Sequence, residues 1–383
     1  MKYVRFKDVT INTQYGYTAS ETSQTEGKYK YLRITDIVPY FVDFEKVPFC
    51  EIPDKQVPKY LIKEGDILVA RTGATTGYNY VVPSGVKNTV YASYLIRFVV
   101  DKSLVLPLFM KYVLKSQSYY GFVNNYIGGS AQPGMNAKVF GKFNIPKHTL
   151  PTQQKIASIL STYDTLIENN TKRIRLLEQM VENLYREWFV RFRFPGYENV
   201  GMENGLPKGW KVKRYNEELN IRYGKGLATE QLQDTGYPVF GSNGQIGFFN
   251  SYMYADPQIL ISCRGASSGV VNISFPNSYV TSNSLICERT ESTESEYEYL
   301  KYYFLNTNLV QYQTGSAQPQ ITINNIEKLK LMVPDRKVQI QFSKRVRIID
   351  SEIFNLQEQN SLLTRQRDLL LPRLMSGKLE VTL

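Results

Sequence analysis

The sequence predicts an α+β fold in which two pseudo-repeated, mixed β-rich domains are separated by a pair of long antiparallel coiled-coil helices. Three observations predict it. The block Gly129-Ser130-Ala131-Gln132-Pro133 returns unchanged as Gly315-Ser316-Ala317-Gln318-Pro319. After each copy comes a long stretch with apolar residues at alternating steps of three and four, the period of a helix seam. Before each copy lie β-branched and aromatic runs broken by Gly, Pro, Asn and Ser, the pattern of short strands and turns.

The repeat extends well beyond the five-residue block. At the same offset of 186 residues, Lys142 falls on Lys328, Asp164 on Asp350, Ile167 on Ile353, Leu177 on Leu363 and Leu184 on Leu370. Upstream, the run from Ile67 to Gly77 is similar to that from Ile259 to Gly269 at an offset of 192, so a loop differs in length between the copies. Earlier still, Arg5-Phe6 and Tyr15-Gly16 are similar to Arg214-Tyr215 and Tyr223-Gly224. Repetition at this scale reports architecture before any local propensity does.

Taken in order, residues 1–150 are the first β-rich domain and 151–194 the first long helix, which opens at Pro151-Thr152 and stops before Pro195-Gly196. Residues 195–209 are a Gly-, Pro- and Asn-rich linker, and 210–334 are the second domain. Residues 335–383 are the second long helix, broken near Gly377, and a C-terminal tail. The first seam is Leu160, Tyr163, Ile167, Asn170, Ile174, Leu177, Val181, Leu184 and Trp188. The second is Phe342, Val346, Ile349, Ile353, Leu356, Asn360, Leu363, Arg367, Leu370 and Leu374. Two seams of equal length imply that the helices pack on each other, with Asn170 and Asn360 fixing register at some cost in stability.

With 383 residues, 42% of them hydrophobic, the chain is long enough for two packed cores. The formal charge of +11 either draws the protein to a polyanion or merely keeps it dispersed. The 29 tyrosines suit an interface, and a genome rich in Tyr, Asn, Lys and Ile explains them equally well. Three cysteines, Cys50, Cys263 and Cys287, with no Cys-x-x-Cys pair, argue against a disulfide framework or a zinc ribbon and fit a cytoplasmic location. The N-terminal residues lack an apolar signal core, and no run approaches the ~18 apolar residues of a membrane span.

No residues suited to catalysis stand out, and neither a metal nor another cofactor is expected. The single histidine, His148, precedes the first long helix and is expected at a surface or hinge. No phosphate-binding Gly-x-x-x-x-Gly-Lys-Ser/Thr loop occurs. Gly241-Ser242-Asn243-Gly244-Gln245-Ile246-Gly247 lies between aromatic β-rich segments and predicts a tight strand-turn-strand. Asp256-Pro257-Gln258-Ile259 does not supply the loop of an amino-methyltransferase, and Glu26-Gly27-Lys28 is half of a nuclease element without its upstream partner.

The doubled Gly-Ser-Ala-Gln-Pro block resembles the specificity (S) subunit family of type I restriction-modification systems over essentially the whole chain. So do Leu150-Pro151-Thr152-Gln153-Gln154-Lys155-Ile156-Ala157, Leu206-Pro207-Lys208-Gly209-Trp210 and Arg373-Leu374-Met375-Ser376-Gly377-Lys378-Leu379. The resemblance implies that each β-rich domain is a target recognition domain for half of a bipartite double-stranded DNA site. It implies further that the helices set the spacer and dock methyltransferase (modification) subunits, to which restriction/translocase subunits add. S-adenosylmethionine, ATP and Mg would then belong to those partners, and the chain would be a non-catalytic member of the DNA methylation complex. The first domain lacks the Leu-Pro-x-Gly-Trp lead of the second, so its boundary is expected to be slightly shortened.

Base discrimination needs Arg, Asn, Gln, Ser or Thr at base edges, while phosphate contacts set affinity. The candidates are Arg71, Thr72, Thr75, Thr76, Tyr91, Ser93 and Tyr94 in the first domain, and Lys225, Asn243, Gln245, Arg264, Ser267 and Ser268 in the second. Ser130, Gln132, Ser316 and Gln318 in the repeated block either touch DNA or brace the domain on its helix. The loop from Arg71 to Gly77 is equally explained by turn geometry. Two other classes remain open: a coiled-coil scaffold with protein- or glycan-binding heads, and a cryptic DNA-modifying enzyme.

Overall fold

A computed structural model describes residues 2–19, 26–39, 41–127, 134–315 and 318–379. The chain divides into two compact units: Met1–Lys172 with Gln357–Leu383, and Arg173–Leu356. Each unit therefore holds one β-rich lobe and one segment of each long helix. No described helix is long and apolar enough to cross a membrane.

In the first unit, strands Thr10–Tyr15, Leu95–Val100, Ile67–Ala70 and Asn79–Val81 form an antiparallel sheet in that spatial order. A second sheet places Tyr29–Leu32 between Phe49–Cys50, antiparallel, and Thr89–Tyr91, parallel. Tyr3–Arg5 pairs with Asn144–Pro146, so the lobe is closed immediately before the long helix begins. Ile67 to Ala70 are all buried, as a strand covered on both faces requires.

The second unit builds the same parts from different residues. Its four-stranded sheet runs Asn220–Tyr223, Ser284–Glu288, Ile259–Ser262 and Val271–Ile273. Tyr237–Gly241 pairs antiparallel with Gly244–Phe249 and parallel with Tyr279–Val280, and Lys211–Arg214 pairs with Lys330–Val333. The glycine-rich segment at 241–247 is thus the turn and second strand of a hairpin. Within 195–209 the chain forms a short hairpin, Met202–Glu203 with Leu206–Pro207.

The long helices run Leu150–Tyr185 and Arg336–Met375. The first continues as a π turn, Arg186–Val190, and ends at Phe192, whose φ of 58° lies in the left-handed region. Within the first unit Asp164 meets Arg367 and Asn170 meets Gln359; within the second Arg173 meets Glu352 and Trp188 meets Phe342. In each unit the contacts rise along one helix as they fall along the other, which is the antiparallel sense. Every seam position is buried or half-buried, from fully covered Leu160, Val181 and Val346 to half-covered Ile174 and Leu363.

Lys115, at the end of the short helix Pro107–Val113, sits beside Lys111, Asp164 and Arg367. Burial, followed by the Lys111 ammonium, pulls its pKa down to about 7 against the attraction of Asp164. The unfolded lysine keeps its proton to about pH 10. Between those values the unfolded state binds more protons, so this group's contribution to stability rises with pH and is lost as pH falls through neutrality. Lys115→Leu, matching Leu305 at the repeat-equivalent position, is expected to raise the unfolding midpoint near neutral pH and to flatten its rise toward pH 10; thermal melts across pH check this.

Candidate nucleic-acid interface

One rim of each lobe is built by the same backbone hydrogen bonds. In the first lobe Gly16 N donates to Leu95 O (3.1 Å), Tyr17 N to Tyr91 O (2.8 Å), Arg71 N to Tyr94 O (3.0 Å) and Met135 N to Arg71 O (2.9 Å). In the second, Gly224 N donates to Ser284 O (3.1 Å), Lys225 N to Val280 O (3.0 Å), Cys263 N to Asn283 O (2.9 Å) and Ile321 N to Cys263 O (3.0 Å). The adjoining turns match as well. Gly77 N reaches Ala70 O and Gly269 N reaches Ser262 O, each at 2.8 Å. All four turn glycines, Gly73, Gly77, Gly265 and Gly269, have φ between 73° and 90°, where a Cβ is strained.

This correspondence pairs positions that the sequence offset leaves unrelated in residue type. Arg71 corresponds to Cys263, Thr72 to Arg264, Tyr17 to Lys225, and Tyr94 to Asn283. The Cys263 side chain is buried, whereas Arg264, Asn283, Lys225 and Tyr94 are exposed. Arg71 is half-buried, with its guanidinium 5.0 Å from the centre of the Tyr15 ring. An arginine is therefore present in each turn, one residue apart, and only in the second lobe is it exposed.

In the second lobe the hairpin joins this rim. Ser242 Oγ donates to Asn283 O (3.2 Å), and Ser262 Oγ donates to Ser242 O. The tip of the hairpin thus lies against the turn that carries Asn283, with Asn243 and Gln245 exposed. Arg264, Asn283 and the hairpin amides form one polar surface able to donate to and accept from base edges.

Three sequence candidates face inward instead. Tyr91 is fully buried, and its hydroxyl donates to Gln14 O at 3.3 Å. Thr76 is 4% exposed and donates to Gly73 O at 2.7 Å, closing its own turn. Ser268 is 1% exposed. Side chains so enclosed cannot present a hydroxyl to a groove without repacking. Thr72, Thr75, Ser93 and Ser267 are half-buried at the rim, and Gln318 is exposed. Ser130, Gln132 and Ser316 lie outside the described residues. Asn283 and Tyr17 were not legible as candidates from sequence; aligning Ala92-Ser93-Tyr94 with Thr281-Ser282-Asn283 would have exposed the first.

Among the described residues no group of three or more His, Cys, Asp and Glu side chains is arranged to hold a metal ion. All three cysteines are buried, and burial pushes the Cys50 thiol up to about 11. His148 is a joint residue: its Nε2 lies 3.2 Å from Met375 O, and its ring stands edge-on to Phe109.

The model of the family described as Type I restriction modification DNA specificity domain matches residues 1–179 and again 207–364. A specificity subunit of the type I restriction enzyme MjaIX of Methanocaldococcus jannaschii is 25% identical over 359 residues, covering 85% of this chain and 80% of the relative. The HindI specificity subunit of Haemophilus influenzae is 24% identical, over 86% of this chain and 91% of its own. Among solved structures, the type I restriction-modification S subunit from M. genitalium shares the fold with a TM-score of 0.60 at 18% identity, over 97% of this chain and 95% of the other.

Proposed function

Because the chain belongs to the family of type I restriction modification DNA specificity domains, we propose that it is the DNA-reading specificity subunit of a type I restriction-modification complex. Each lobe reads one half of a bipartite site, and the paired helices set the spacer between the halves. The observation that carries this is the rim built twice on one backbone plan with different outward side chains. Equal scaffolds with unequal hydrogen-bonding groups are what two readers of different sequences require. The net charge of +11 supports the phosphate contacts that supply affinity.

The chain itself performs no chemistry in this reading. S-adenosylmethionine, ATP and Mg act on the modification and restriction subunits, which this chain brings to DNA. Exposed apolar side chains on the long helices support the docking of a modification subunit there, among them Leu166, Leu176 and Met180 on the first and Ile348, Leu362 and Leu369 on the second.

The test is selection of randomised duplexes by the full chain with a type I modification subunit. The wild type is expected to return two short conserved blocks at one separation, with affinity falling steeply as salt rises. Arg264→Ala and Asn283→Ala are each expected to relax one position of one block by about 1–3 kcal/mol, leaving the other block intact. Selection returning no conserved sequence would overturn the assignment.

A further inference from the structure

Two polar fastenings of a lobe to its long helix repeat between the units. In the first unit Gln153, 2% exposed, accepts from Leu106 N (2.8 Å) through Oε1 and donates through Nε2 to Leu104 O (3.0 Å) and His148 O (2.9 Å). In the second, fully buried Gln339 accepts from Glu296 N (2.7 Å) and donates to Pro334 O (2.8 Å). Leu106 and Glu296 are the N-cap residues of the short lobe helices Pro107–Val113 and Tyr297–Leu305. Both glutamines thus grip the start of a lobe helix.

Three helical turns further along each long helix an aspartate grips the lobe helix again. Asp164 accepts from Tyr112 Oη at 2.8 Å and lies 2.6 Å from Lys111 Nζ. Asp350 accepts from Tyr302 Oη at 2.6 Å and lies 2.8 Å from Lys301 Nζ. Each unit adds a contact of its own: Arg367 of the second long helix reaches Asp164 at 3.0 Å in the first, and Arg347 Nε donates to Glu298 Oε1 of the lobe helix at 2.6 Å in the second. In the second unit the repeat-equivalent of Arg367 is Val181, which is fully buried.

Apolar packing holds two surfaces together without dictating their angle, because it is non-directional. Hydrogen bonds to a carboxylate, buried in Asp164 and half-buried in Asp350, and to a buried amide are directional, and two of them along one helix leave a lobe one azimuth and one axial position. Ion pairs drawn out of water contribute little net stability compared with apolar replacements. We infer that the Gln153/Asp164 and Gln339/Asp350 pairs, with Lys111-Tyr112 and Lys301-Tyr302, are positioning residues that set the angle of each lobe on its helix, and so make the protein intolerant of any spacer but one. The inference rests on the bipartite reading proposed above.

The experiment uses the full chain with its modification subunit and duplexes that carry both selected blocks at separations varied in single base pairs. Two variants are compared with wild type: Tyr112→Phe combined with Tyr302→Phe, and Asp350→Asn. Wild type is expected to prefer one separation over its neighbours by at least about tenfold, since two linked sites gain from each other only when both can engage. The variants are expected to lower that ratio to about two- to threefold while selecting the same blocks, because the linkage becomes permissive and the readers are untouched. Unchanged steepness in a folded variant, even one with a lower melting temperature, overturns the positioning role and leaves the bipartite reading standing. Absence of any spacing preference in wild type overturns both. If Asp350→Asn does not fold, the paired Tyr→Phe variant, which removes only two hydroxyls, decides the matter.

Discussion

Removing one heptad from each long helix, residues 168–174 and 354–360, is expected to shorten the preferred spacer by about three base pairs. Seven residues rise about 10 Å along a helix, and base pairs are stacked about 3.4 Å apart. Seven is also the number that returns the seam to nearly the same face, with a drift of only about 20°. The paired deletion takes out Asn170 with its partner Gln359, and Thr171 with its partner Asn360, whereas Glu352 loses its exposed partner Arg173. On the parental site the shortened protein engages both blocks poorly, and affinity should fall by roughly 10²–10⁴ because the second contact is no longer intramolecular. Selection on randomised duplexes reads the new spacing directly; the parental spacing returned by a folded deletion variant would rule out the helices as the measuring element. Removing five residues from each helix instead rotates the seams apart, and the expected outcome there is loss of folding.

What the sequence made legible follows from what repetition preserves. Scaffold positions are held by geometry, so the glycine turns, the strand Ile67–Ala70 and the seam pairs Ile167/Ile353, Leu177/Leu363 and Leu184/Leu370 are alike in both copies. Reading positions differ between copies by their nature, and a search for likeness passes over them. Tyr94 and Asn283 share a backbone position and no chemistry. The two turn arginines lie one residue apart in the repeat, and a shift of one residue moves a side chain from one face of the chain to the other; Arg71 packs on Tyr15 while Arg264 is exposed. Asp164 and Asp350 were visible as a repeated identity, but their partners, Lys111-Tyr112 and Lys301-Tyr302, sit at an offset of 190 rather than 186 and so fell out of register. The π turn at Arg186–Val190 had no Pro or Gly to announce it.

Gly16→Ala and Gly224→Ala are expected to abolish recognition one half-site at a time. A Cβ on Gly224 would stand 2.3 Å from Thr281 O and 2.4 Å from Val280 O; on Gly16 it would stand 2.2 Å from Ala92 O and 2.4 Å from Tyr91 O. These are backbone atoms of the paired segment, so neither side can give way cheaply. Relief requires the two segments to part, which breaks the Gly224–Ser284 and Lys225–Val280 hydrogen bonds in one lobe or the Gly16–Leu95 and Tyr17–Tyr91 bonds in the other. Overpacking together with two lost backbone bonds should cost the altered lobe about 3 kcal/mol or more. Because the rim is hung on those bonds, the affected lobe should stop reading before the other is disturbed. Mapping methylated sites in cells carrying each variant and its partner subunits should show one block degenerate and the other retained, with the identity of the lost block exchanging between the two variants. Gly226→Ala, where a Cβ meets nothing within 4 Å, serves as the control and should map as wild type. Loss of the same block in both variants would mean that the two rims do not read separate half-sites, however alike their scaffolds are.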